Sequence, residues 1–152
     1  MKPAETLLAA LGLAGLAACA SAPQTADQVI VGKWNCSANT PDGKISGPMT
    51  YHSDGTTTFV LTFDSIMEGT SVIIVADGSS VWEIPAEGKI REAIKSIEIR
   101  SAKMGGQDIP PSMLGDIEDS MVDAELSESS LEVSRSDMVL VDQEGTRTVC
   151  KR

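Results

Sequence analysis

The sequence predicts an all-β domain: an antiparallel up-and-down meander of about eight or nine strands that closes into a small barrel, with one short helix near residues 111–122. Three observations carry this expectation. Glycines preceded by an acidic residue recur at Asp42-Gly43, Asp54-Gly55, Glu68-Gly69, Asp77-Gly78 and Glu87-Gly88, at intervals of 12, 14, 9 and 10 residues. Runs of β-branched and aromatic residues lie between them. Two cysteines, Cys36 and Cys150, fall on the first and last predicted strands.

Each element follows in order. Asp-Gly is a hairpin signal because glycine accepts positive φ and aspartate tolerates it. The turns divide the first two thirds of the chain into strands at 32–40, 44–52, 56–65, 70–76, 80–85 and 89–101. In Thr57-Thr58-Phe59-Val60-Leu61-Thr62-Phe63 the residues alternate, with Phe59, Leu61 and Phe63 on one face. Val72-Ile73-Ile74-Val75 and Val81-Trp82-Glu83-Ile84 are the next two runs. In 89–101, Ile90, Ala93, Ile94 and Ile97 also fit a helical stripe. The alternation Ile97-Glu98-Ile99-Arg100 and the turn before the segment favour a bulged strand. Gly105-Gly106 opens a loop, and Pro110-Pro111 precedes Met113, Leu114, Ile117 and Met121, spaced for one helical face. Strands at 131–135, 138–142 and 146–151 end the chain, the last two joined at Glu144-Gly145.

Ahead of the domain, residues 7–18 are apolar and Cys19 follows Leu16-Ala17-Ala18. A run of 12 residues is too short to span a bilayer, which needs roughly 20, but fits the apolar region of a signal peptide. Leu16-Ala17-Ala18-Cys19 resembles the lipobox of bacterial lipoproteins. That resemblance implies cleavage before Cys19, acylation of its thiol and amino group, and anchoring in the cell envelope. Ala20, in place of Asp, points by the same resemblance to the outer membrane, with the domain facing the periplasm. Residues 19–30 then read as the lipidated cysteine and a flexible tether, and 31–152 as the folded domain.

Residues 19–152 number 134, enough for one domain with a core. An exported compartment is oxidising, and with Cys19 acylated Cys36 and Cys150 have only each other as partners. A Cys36–Cys150 disulfide brings the first and last strands together, which an open meander does not allow and a closed barrel does. Closure also removes free strand edges. Gly32-Lys33-Trp34, at the start of the first strand, resembles the Gly-x-Trp signature of lipocalins and related small barrels. In that family the tryptophan plugs the barrel floor, with an arginine stacked on it. The chain departs from the family in placing its helix before the last strands and in lacking a recognisable arginine for the tryptophan, although Arg152 is available.

No catalytic or metal constellation stands out. His52 is the only histidine; within Tyr51-His52-Ser53-Asp54 its neighbours share one turn and do not converge as a catalytic triad requires. Asp116, Glu118, Asp119, Asp123, Glu125 and Glu128 lack the spacing of a calcium loop and read as a solvated face. A net charge of −10 excludes nucleic acid as a partner. No cofactor and no enzymatic activity are expected.

The expected function is binding. The leading reading is a small apolar molecule or lipid held in the barrel mouth, with Phe59, Phe63, Trp82, Met113 and Met121 as the ligand-binding candidates. The alternatives are a protein-interaction or inhibitor module that engages a basic envelope protein, or a passive envelope component. An apolar cavity above roughly 300 Å³ favours the first; a solid barrel with exposed apolar loops favours the second.

Overall fold

The computed structural model describes residues 22–123 and 125–152. The signal-like segment and Cys19 lie outside the described residues. The elements are α1 (Ala26–Ile30), β1 (Gly32–Thr40), β2 (Gly43–Tyr51), β3 (Thr56–Met67), β4 (Thr70–Glu83), β5 (Lys89–Met104), β6 (Gln107–Asp108), α2 (Pro111–Ser120), β7 (Ser127–Val133), β8 (Asp137–Val141) and β9 (Arg147–Lys151). Eight strands form a closed antiparallel ring in the order β1-β2-β3-β4-β5-β7-β8-β9, with β9 pairing back onto β1. Cys36 and Cys150 face each other across the β1–β9 ladder and are joined by a disulfide. The expected barrel is therefore present and stapled at its seam.

Register sets the inward face. Cys36 stands opposite Gly47 on β2 and Cys150 on β9, so Trp34, Cys36 and Ala38 point inward with Met49, Leu140 and Thr148. On β3, Thr57, Phe59, Leu61 and Phe63 alternate inward, as the sequence pattern predicts.

Four expectations need correction. Residues 70–76 and 80–85 form one strand, β4, and Asp77-Gly78 is not a turn. Gly78 stands opposite Phe59, and a Cβ on it would lie 2.3 Å from the Phe59 ring. The glycine is there to admit the aromatic ring, not to reverse the chain. Gly105-Gly106, both with positive φ, closes a tight hairpin from β5 into the two-residue β6 instead of opening a loop. The third strand from the end begins at Ser127, four residues before the expected start, because Ser127–Ser130 pair with the first four residues of β5. The tether is also shorter than expected. Ala26–Ile30 is helical, Gln28 accepts a hydrogen bond from the Thr25 N–H, and Ile30 is fully buried in the core.

The segment whose periodicity was ambiguous is a strand with two bulges. Pairing with β4 slips by one residue at Lys95 and again at Arg100. Each inserted residue shifts the alternation, so Ile90, Ile94 and Ile97 share the inner face at spacings that imitate a helix. Beyond Glu92, β5 loses β7 as a neighbour and α2 runs along its edge. Carboxylates of Asp123 and Glu118 accept the Ile94 and Ile99 N–H groups at 2.8 and 2.7 Å. These acids are thus not merely solvated: two of them complete a strand edge that would otherwise expose its donors.

Candidate ligand site in the barrel interior

One end of the barrel is sealed. Trp34 is 1% exposed and its indole N–H donates to the Ile30 carbonyl at 2.7 Å. The Arg152 guanidinium lies 4.0 Å from the Trp34 ring centre and donates to the carbonyls of Val29 and Val31, each at 2.7 Å. Gly32 takes positive φ beneath it, and a Cβ there would press within 3.2 Å of the guanidinium. The Gly-x-Trp motif thus has a local cause: the glycine leaves room for the cation that covers the tryptophan. Ile30, Tyr51, Ile90, Met138 and the disulfide pack around this floor.

Above the floor the interior opens into a cavity of about 170 Å³, lined by Cys36, Ala38, Ile45, Met49, Leu61, Glu92, Leu140 and Thr148, with Ser37 and Ser46 at its margin. Ile45 and Met49 are only half-buried although they sit on the inward register, so the cavity reaches solvent through the mouth. Its walls are apolar except for Thr148, Glu92 and the two serines. The Tyr51 hydroxyl donates to Glu92 Oε1 at 2.8 Å. Burial pushes the Glu92 carboxyl above the ordinary glutamate range, and the hydrogen bond from Tyr51 offsets part of that shift. Burial, then the charge and hydrogen bond of Glu92, push the Tyr51 phenol well up. Among the described residues no lysine or arginine pairs with Glu92.

The five candidate ligand residues do not converge. Phe59 is buried against Gly78. Trp82 sits near the floor, edge-on to Tyr51 at 5.9 Å, its N–H bonded to the Thr56 carbonyl. Phe63 packs in the separate cluster where Leu114 and Ile117 of α2 meet Ile97, Ile99 and Ala102 of β5. Met113 is 53% exposed on α2, and Met121 caps its C-terminal end. None of the five lines the cavity. The residue that sequence reasoning missed is Glu92. Its signal was present: an acid between Ile90 and Ile94 at strand spacing occupies an inward position. The helical alternative for that stretch hid it.

The turn around His52 is structural. Asp54 Oδ1 accepts the N–H and hydroxyl of Thr56, which hold its carboxyl below the usual range. The His52 ring lies 3.2 Å from the Thr58 hydroxyl. Among the described residues no group of three or more His, Cys, Asp or Glu side chains is arranged to hold a metal ion. No protein-family model matches this chain, and no curated protein matches it.

Proposed function

We propose that this chain is a lipid-anchored, non-enzymatic binding protein of the bacterial envelope, tethered through Cys19 to the outer membrane and holding a small molecule inside its barrel. The observation that carries the reading is the solvent-reachable apolar cavity with a single carboxylate in its wall. Its volume of about 170 Å³ is below the roughly 300 Å³ expected of a pocket for an apolar molecule or lipid and does not fit an acyl chain, so the ligand proposed is smaller than that expectation. A cavity of about 150 Å³ accepts benzene, which sets the scale of the ligand at a single small ring or branched chain. The floor supports a lipocalin-like ancestry, since the Trp34–Arg152 stack has the form that resemblance implies.

Native mass spectrometry of the full chain purified from its own envelope tests this reading. A low-mass adduct on a chain that starts at acylated Cys19 is the expected result. A chain retaining residues 1–18 contradicts the anchor, and the absence of any low-mass adduct contradicts the ligand.

A second reading has its own support. Ile66 is 68% and Met67 57% exposed at the β3–β4 turn, with Ile73 and Met104 exposed beside them. This turn lies at the end opposite α1, where the tether joins. A strand of 14 residues such as β4 spans about 45 Å, so the tip stands well away from the anchoring end. An apolar tip on an acidic body suits docking to a basic envelope protein. Co-purification of one stoichiometric protein, lost on Ile66→Ser/Met67→Ser substitution, is the result expected if this reading holds.

A further inference from the structure

Glu92 is out of place by the ordinary rules of a barrel core. It projects from β5 into a space walled by Met49, Leu61, Leu140 and the Cys36–Cys150 disulfide. One oxygen is fixed by the Tyr51 hydroxyl at 2.8 Å. Tyr51 is itself 1% exposed and held edge-on by Trp82, so the acceptor is positioned by rigid neighbours. A carboxylate in apolar surroundings is costly unless paired, and no cation of the described residues supplies the pair. A ligand that brings the cation removes the cost and gains a charge-assisted hydrogen bond.

We propose that the barrel interior is a site for a small monoamine, its ammonium group on Glu92 and its hydrocarbon part against Met49, Leu61 and Leu140. This rests on the reading of the barrel as a small-molecule binder and names the ligand class for that same cavity. The volume sets an upper size of about six to eight non-hydrogen atoms, by comparison with cavities that accept benzene. A diamine or a zwitterion is disfavoured, because Glu92 is the one charged side chain of the lining, and the hydroxyls of Thr148, Ser37 and Ser46 supply neither a second carboxylate nor a cation. The Tyr51 hydroxyl occupies one carboxylate oxygen and leaves the other for the ligand. The acidic surface of the domain raises the local concentration of cations at the mouth.

The site is also pH-dependent. The groups that face Glu92 are Tyr51 from β2, Leu61 from β3, Trp82 from β4, Ser127 from β7, Leu140 from β8, and Cys36 and Thr148 from β1 and β9. Of these only Tyr51 titrates, and it stays protonated through neutral pH. Loss of amine binding on acidification therefore reports protonation of Glu92.

Isothermal titration of the full chain with benzylamine, and with benzyl alcohol and toluene as neutral comparators of similar size, tests the proposal. The expected result is benzylamine binding at least tenfold tighter than either comparator at pH 7, with the preference abolished in Glu92→Gln. In the unsubstituted chain, benzylamine binding falls as the pH drops through the Glu92 titration while benzyl alcohol binding does not; this series needs no variant to fold. Equal binding of all three compounds overturns the amine class and leaves the interior site standing. No binding of any of them, in a chain whose near-ultraviolet spectrum shows packed tryptophans, overturns the interior site as well.

Discussion

At the end where the chain enters the barrel, Trp34, Tyr51, Ile30, Ile90 and Met138 are essentially without solvent exposure. At the other end Ile66, Met67, Ile73 and Met104 face water, and the inward-pointing Ile45 and Phe63 are only half-buried. The same strands run through both ends. What differs is what covers them. The floor has α1, Arg152 and the disulfide; the far end has α2, which packs over β5 and its neighbours and leaves the β1–β2 side uncovered. Burial is concentrated where α1 and Arg152 meet the barrel, and the opposite end is left more open.

This contrast orders the expected effects of substitution. Cys36→Ser/Cys150→Ser has the largest: with the cysteines 114 positions apart, the chain-entropy model gives about 4–5 kcal/mol as an upper figure. Chemical denaturation of the oxidised and substituted chains measures it, and a loss below about 1 kcal/mol would break the idea that the seam is the staple. Trp34→Ala is expected to cost about 3–5 kcal/mol, because it empties the floor, removes the indole donor from the Ile30 carbonyl and takes the ring from under the Arg152 guanidinium. Arg152→Ala follows at about 1 kcal/mol, since its stack and hydrogen bonds are partly solvated. At the far end Ile66→Ser/Met67→Ser is expected to change stability by less than about 0.5 kcal/mol. A larger loss there would show that the tip is packed in solution and not free.

The pH dependence sharpens the same contrast. Glu92 has its carboxyl raised above 4.5, so the folded chain holds its proton more tightly than the unfolded chain. Stability therefore falls as the pH rises from 4.5 through the folded-state value, and Glu92→Gln removes that slope. Asp54 and Asp137 are lowered from 3.8 and act in the opposite sense: their contribution is present above 3.8 and is lost as the pH falls through their folded-state values. Denaturation midpoints from pH 3 to 8 separate the two, since one slope lies above and the other below about pH 4.

Legibility in the sequence tracks how local the cause is. Hairpin turns are set by two residues, and Asp42-Gly43, Asp54-Gly55, Glu68-Gly69, Glu87-Gly88 and Glu144-Gly145 all lie at reversals of the chain. Asp77-Gly78 carries the same letters for a different reason, the ring of Phe59 across the ladder, and that partner is not adjacent in sequence. The barrel's closure was readable because only two cysteines remained to pair. The cavity was not: its lining comes from six strands, and its one charged residue sits within a helix-like stripe, just ahead of two bulges. The aromatic and methionine candidates were chosen by residue type, and packing uses them elsewhere.

The central claim is that the interior above Tyr51, and not the floor or the outer face, is where the domain binds its ligand. Methyl-resolved NMR titration of the full chain with benzylamine tests it most directly. Shifts centred on Met49, Leu61 and Leu140, with Ile30 and Met138 unmoved, are the expected result. Shifts confined to the floor methyls, or to the exposed Ile66, Met67 and Met104, would contradict it.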